Sequence, residues 1–381
     1  MSTIIKIKGY HLRFRPQPAL GNARTFIRER EFLVVEVTTG NGLSGWGEVF
    51  SSPYGAAALI RHRLAPKILG EDPQEFGRIY AEMVKLQGYD RRGAHPMAVS
   101  AIDMALHDLA ARERQTSVSA MLGGALRTTI PAYASGPFML EGDAPYRDFP
   151  DEVEKLARQG FRAVKPRVGL SPKADGEIIN RLRKQVGQDI ALMVDINQGY
   201  TVNAAIESAK RMEEAGLMWI EEPVQPEDIQ GYKKVVGASV SAIAGGEAIA
   251  SPAGFRDFLV EGALSIVQPD MTVCGGFSGY QRVAALASAF DVPTMPHVFS
   301  TVINLHAAIQ MAALLPAWHA GGLSPYPYVE FDTSGNPLME LYGNPVSGEG
   351  FLDLPDGHGI GIDIKADDFA DWIVDHWSVE R

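Results

Sequence analysis

The chain reads as an α/β protein built on a (β/α)8, or TIM, barrel that carries a smaller α+β unit. Three observations predict this. From residue 129 onward, eight short apolar runs of strand character alternate with amphipathic helical stretches, the element count of such a barrel. Three successive runs, ALMVDIN, LMWIEEP and SAIAGGE, carry acids at equal spacing, Asp195, Glu221 and Glu247. That period is about one strand, one helix and two short loops. Before residue 129 the pattern differs, with long alternating strands and a hairpin followed by helices.

At 381 residues and 46% apolar content the chain can bury a large core, enough for one barrel and a smaller domain. The net charge of −11 comes without a basic block, which argues against nucleic acid as a partner. An anionic substrate therefore needs a locally positive site. Cys274 is the only cysteine, so a disulfide framework and a thiolate metal cluster are excluded, and a reducing cytoplasm is expected. The start, MSTIIKIKGYHLRFRP, alternates like a strand rather than a signal peptide, and no apolar run reaches the length of a membrane span.

In order, IIKIKGYHLRF and REFLVVEVTTGNGLSGWGEVF predict strands, the second folding as a hairpin at Gly40-Asn41-Gly42. Residues 15–30 and 51–58 are expected to be loops. A helical pattern follows from Ala57 to about Gly123, clearest in PMAVSAIDMALHDLAARER. Residues 1–128 thus form the α+β unit. Barrel strands are predicted at 129–135, 161–168, 191–197, 217–223, 241–247, 264–270, 292–298 and 327–332. Helices such as DEVEKLARQG and NAAIESAKRMEEAG lie between them, the latter closed by Gly216. The barrel therefore spans 129–332, and the turn-rich tail, 333–381, is expected to return to the first unit.

In a closed parallel barrel, acids one unit apart converge at the C-terminal rim. Asp195, Glu221 and Glu247 would repel one another there unless a hard divalent cation such as Mg2+ lay between them. Each alone could be a helix-start acid favoured by the dipole; the equal spacing favours a metal site. Lys165 and Arg167, two residues apart in AVKPRV, share one strand face. Arg167 is either a site residue or an ion-pair partner of one of the acids. Asp270 closes VQPD and His297 lies in MPHV on the next strand, so the Asp can orient the imidazole and fix its tautomer. Glu330 is a further rim candidate or a simple helix-start acid.

MVDIN, WIEEP, AGGE, VQPD and MPHV, in this order, resemble the enolase superfamily, and the Asp270/His297 pair resembles its mandelate racemase subgroup. The likeness extends over the chain through GLSGWGEVF, SAIDMALHDLA with MLGG, and LPDGHGIGIDI. It implies a capping domain formed from both termini, with Asp195, Glu221 and Glu247 as Mg2+ ligands and the loops near 15–30 and 51–58 closing over the substrate. It also implies abstraction of a proton next to a carboxylate through an enediolate, Lys165 on one side of the carbon and His297 on the other. Glu330 would be kept protonated and donate to the substrate carboxylate.

The sequence departs from the family at Arg167, where a second lysine usually acts as a base. A guanidinium is hard to deprotonate, so two-base racemisation loses one base. Dehydration of a sugar acid to a 2-keto-3-deoxy acid needs only one, and is the first expectation. The runner-up is an isomerase, a sugar-lactone cycloisomerase or an epimerase, because QPDMTVCGGFSGYQ through VEFDTSGNP also resembles the cycloisomerases. A non-catalytic barrel is a third reading, and an amidohydrolase-type zinc site is disfavoured by the absence of His-x-His on an early strand. A symmetric homo-oligomer is expected.

Overall fold

The alternation of Ile4–Phe14 and Arg30–Thr39 turns Ile7, Leu33, Val35 and Val37 into one core. The two strands pair antiparallel, with Ile7 opposite Val37 and Leu12 opposite Phe32. Ser44–Val49 completes the hairpin, Val35 facing Gly47. The turn holds Gly42 at φ +85°, which glycine adopts without steric cost. From the other end of the chain, Ile373–Glu380 pairs with the free edge of Ile4–Phe14. The computed structural model describes residues 2–51, 53–319, 325–343 and 346–381.

The Ala94–Glu113 helix lies across this four-stranded sheet, and glycines set how closely. A Cβ added at Gly47 would sit 2.0 Å from the Ala101 carbonyl oxygen. The same helix meets the barrel through the Gly276–Ser288 helix, where Ser278 N donates to Asp103 Oδ2 at 2.9 Å. Within the stretch expected to be a second loop, Pro53–Leu59 is helical, since PYGAAAL has a proline at the start and a run of strong helix formers; Ser52 lies outside the described residues. The 15–30 stretch carries a short ribbon, Leu20–Gly21 with Phe26–Ile27. Gly21 exchanges two backbone hydrogen bonds with Met139, tying the ribbon to the barrel.

Parallel pairing runs from Val329–Asp332 through Thr129–Ser135, Ala163–Lys165 and Ala191–Leu192. The Arg167–Asp195 bridge joins this sheet to Val194–Asp195, Trp219–Glu221, Ala242–Gly245 and Ile266–Val267. Seven of the eight predicted runs form strands. The run at 292–298 contributes only a bridge between Thr294 and Val267, because Pro293 and Pro296 have no N–H for a ladder. The tail also departs from expectation in part: Phe351–Asp353 pairs antiparallel with Thr129–Ser135 rather than with the N-terminal sheet. The Val202–Met212 helix ends, after one 3-10 turn, at Gly216 in the left-handed conformation.

The barrel interior is layered with the period of two that a strand imposes. Tyr133, Ala163, Met193, Trp219, Ile266, Met295 and Tyr328 make a buried apolar layer. Two residues further along the same strands stand Ser135, Lys165, Asp195, Glu221, Gln268, His297 and Glu330. The apolar layer thus fixes the height at which the polar one sits.

Gly47→Ala should destabilise the protein by about 3 kcal/mol through overpacking against a rigid backbone. Chemical denaturation of the purified variant would measure the loss; a loss within about 0.5 kcal/mol would mean that the helix can move away from the sheet.

Candidate active site

The polar layer, with Arg167, Glu247 and Asp270 beside it, brings together the residues singled out from the sequence. Glu221 lies level with Asp195 in the ladder, and one oxygen from each of Asp195, Glu221 and Glu247 lies within 4.8 Å of the others. Glu221 Oε2 accepts from Trp219 Nε1 at 2.9 Å and from Gln268 Nε2 at 2.7 Å, and Asp195 Oδ1 accepts from Asn197 N at 2.7 Å. Lys165 Nζ, fully buried, lies 3.0 Å from Glu330 Oε1 and donates to Glu221 Oε1. Arg167 is in contact with Asp195, donates to Ser135 Oγ at 2.7 Å, and lies 3.5 Å from Glu330 Oε1. It therefore is an ion-pair partner of the acids as well as a rim residue.

His297 donates from Nδ1 to Asp270 Oδ2 at 2.7 Å, which leaves Nε2 as the proton acceptor of the neutral ring. Asp270 is held in turn: its Oδ1 accepts from Thr272 N and Thr272 Oγ1, each at 2.7 Å, and from Asn304 Nδ2 at 3.2 Å. Burial opposes charging of the ring, but Glu247, Glu330 and Asp270 outweigh it and raise the imidazole well above its usual range. Nε2 is 3.0 Å from Glu247 Oε2 without the alignment of a hydrogen bond.

Two expectations are corrected. Glu330 is not kept protonated: burial opposes its charge, but Lys165, His297 and Arg167 surround it and hold it well below the usual carboxylate range. It accepts from Val298 N at 3.1 Å rather than donating. Nor does Lys165 flank the cavity. Above the rim lies a cavity of about 600 Å³ lined by Arg167, Asn197, Glu247, His297 and residues of the N-terminal unit, with Lys165 beneath it. The strand period explains this, for Lys165 is level with Ser135 and Arg167 stands two residues nearer the opening.

The acids suit a divalent cation. Glu247 Oε2 is buried with no well-aligned hydrogen bond, only the imidazole Nε2 3.0 Å away, so its lone pairs are open to a metal. Burial, and then Glu247 beside it, push the Glu222 carboxyl well above its usual value. The donors are all carboxylate oxygens, the set that Mg2+ takes.

Several participants carry no motif of their own. Ser135 and Gln268 can be found in the sequence by counting two residues from the apolar layer. Phe50, edge-on to His297 at 5.9 Å between ring centroids, and Glu48 lie at the end of GLSGWGEVF, a run whose likeness to the family does not show which barrel residues they meet. Glu48 Oε1 accepts from Ser300 Oγ at 2.9 Å and from Asn304 N at 2.8 Å, at the start of the Val302–Ala312 helix that supplies Asn304 to Asp270.

The site thus sits at the strand ends of a capped (β/α)8 barrel, with an acid triad on three successive strands and a His–Asp pair beside it. Residues 148–368 match the enolase C-terminal domain-like family, and residues 11–123 match the N-terminal domain of the mandelate racemase / muconate lactonizing enzyme family. The chain belongs to the enolase superfamily, in its mandelate racemase subgroup. It is 33% identical to D-galactarolactone cycloisomerase of Agrobacterium fabrum, over 96% of this chain and 97% of that one. It is 29% identical to D-gluconate dehydratase of Thermoproteus tenax, over 87% of this chain and 68% of that one. A Streptomyces coelicolor A3(2) racemase, solved with bound magnesium, superposes with a TM-score of 0.86 at 26% identity, covering 97% of this chain and 100% of that one. Relatives thus include both sugar-lactone cycloisomerases and sugar-acid dehydratases. Among the described residues, no helix is long and apolar enough to cross a membrane.

Burial pushes the Glu48 carboxyl up to about 7 although hydroxyl and helix N–H donors oppose the shift. A carboxyl raised above its unfolded value contributes stability at low pH that is lost as pH rises through the folded value. The melting temperature of wild type relative to Glu48→Gln should therefore fall between about pH 5 and about pH 8. Parallel pH dependences for the two proteins would show that Glu48 does not titrate in this window.

Proposed function

We propose that this chain is a Mg2+-dependent enzyme that removes the proton next to a sugar-acid carboxylate and expels an oxygen from the neighbouring carbon. The observation that carries the reading is the pairing at the cavity of one base, His297 oriented by Asp270, with Arg167, which cannot release a proton. Asp195, Glu221 and Glu247 would hold the cation. When bound, Mg2+ supplies positive charge that makes the carboxylate's neighbouring proton removable and offsets the charge that Glu247 imposes on His297.

His297 Nε2 takes the proton, and its Nδ1–H stays on Asp270 while the ring becomes charged. Arg167 and, beneath it, Lys165 keep positive charge near the carboxylate as electron density moves onto it. The electrons of the broken C–H bond then form the C=C bond as the β-oxygen departs. The resulting enol takes a proton at the β-carbon to give the 2-keto-3-deoxy acid.

Opening of a sugar lactone is supported better than dehydration, which reverses the order expected from sequence. A ring oxygen leaves as a carboxylate and needs no acid, whereas hydroxide must be protonated as it leaves. The near full-length likeness to a lactone cycloisomerase points the same way. Dehydration is the second reading, favoured by the gluconate dehydratase likeness, and requires the hydroxyl to lie on the face that His297 serves.

Proton NMR in D2O of aldonic and aldaric acids and their lactones with Mg2+ tests the reaction. A 2-keto-3-deoxy product formed only from lactones supports ring opening, and its formation from open-chain acids makes the enzyme a dehydratase. Deuterium exchange without elimination would remove both readings in favour of an epimerase. His297→Asn should lower turnover roughly a thousandfold; full activity in that variant would remove its role as base. By titration calorimetry, wild type should bind Mg2+ and Glu247→Gln should not, with chelation abolishing wild-type turnover. Equal Mg2+ binding by both would displace the cation from the triad.

A further inference from the structure

Resting on the elimination reading, we infer that the substrate is a monoanion, with its one carboxylate at the acid triad and an uncharged polyol or ring against the N-terminal wall of the cavity. The charges lining the cavity carry this. Among its described lining residues the only Arg or Lys side chains are Arg167 and Arg30. Arg167 belongs to the barrel rim and is engaged with Ser135, Asp195 and Glu330.

Arg30, on the N-terminal side, is 5% exposed and already matched. Its Nη1 donates to Asp332 Oδ2 at 2.6 Å and to Ser334 Oγ at 3.1 Å, its Nη2 donates to Phe299 O at 2.7 Å, and its guanidinium lies 3.9 Å from the centroid of the Phe299 ring. A second substrate carboxylate would find no unspent fork there.

The same wall presents Glu29 and Glu31 to the cavity. Their cationic partners stand behind them, outside the lining: Arg13 Nη2 is 2.7 Å from Glu31 Oε1 and Arg13 Nε is 3.2 Å from Glu29 Oε1, while Arg15 Nε is 3.1 Å from Glu29 Oε2. Tyr54 OH also donates to Glu31 Oε1, at 2.8 Å. Burial opposes charge on Glu31, but Arg13 and Tyr54 bring it below the usual carboxylate value. Sugar hydroxyls are donors that two such acceptors, with Asn22 and Ser51 beside them, can bind. A distal carboxylate there would meet two carboxylates whose arginines are already paired to them, and no unpaired cation among the described lining residues. An open aldarate carries a charge at each end. Its 1,4-lactone carries one, and places the leaving ring oxygen on the carbon β to the remaining carboxylate.

The test uses a six-carbon aldarate, its 1,4-lactone and the aldonate of the same configuration, each titrated calorimetrically into the Mg2+-loaded protein and then followed by proton NMR in D2O. Wild type should bind the better of the two monoanions about 30-fold more tightly than the dianion. Glu31→Gln should narrow that ratio to about 3-fold, and Glu29→Gln, on a more exposed side chain, should narrow it in the same direction. The inference is overturned if the dianion binds wild type as tightly as both monoanions, if none of the three binds, or if the ratio is unchanged in whichever variants fold. A preference that responds to these substitutions, with no keto-acid product from any of the three compounds, would uphold the monoanion and remove the elimination reading instead.

Discussion

Six carboxyl groups, Asp195, Glu221, Glu222, Glu247, Asp270 and Glu330, are held at one barrel rim with two fixed cations, Lys165 and Arg167, and one imidazole. Burying like charges is costly unless each is paired, hydrogen-bonded or neutralised. The rim uses all three means. Lys165 and Arg167 reach between the acids, Trp219 and Gln268 donate to Glu221, and the Glu222 carboxyl is pushed toward its neutral form. Six carboxyl groups against two fixed cations and one imidazole leave an excess of acids that a divalent cation would neutralise.

That charge distribution depends on the apolar layer below it. Tyr133, Trp219, Met295 and Tyr328 pack together inside the barrel, and the residues two positions further on in each run form the polar layer above them. The N-terminal unit closes the site above and also supports it from the side. Glu48 meets the start of the helix whose Asn304 holds Asp270, so the orientation of His297 is linked to a domain that is remote in sequence.

Period and spacing are legible in the chain alone. A repeat of equal length with an acid at each strand end can be read from one sequence because strands fix side-chain direction and βα units fix spacing. The His297–Asp270 contact follows from the same reasoning. The irregularity of the seventh strand is harder to read, although Pro293 and Pro296 are visible, because an apolar run has strand character whether or not its N–H groups can pair. The charge on Glu330 is not legible, because its ionisation depends on Lys165, His297 and Arg167 arriving around it together. The roles of Glu48, Arg30 and Phe50 are not legible, even though GLSGWGEVF contains two of them, since they come from docking two units whose contacting residues lie more than two hundred positions apart.

By itself the sequence determined the barrel, the three acids and the His–Asp pair, which follow from residue type and local period, and the resemblance to the family marked Arg167 as standing where a base is usual. Tertiary structure alone decided which cation lines the cavity and which lies beneath it, that Glu330 is charged, and that the N-terminal wall presents Glu29 and Glu31 with their arginines behind. These are properties of the summed electrostatic field and of burial, which depend on distances in space rather than along the chain.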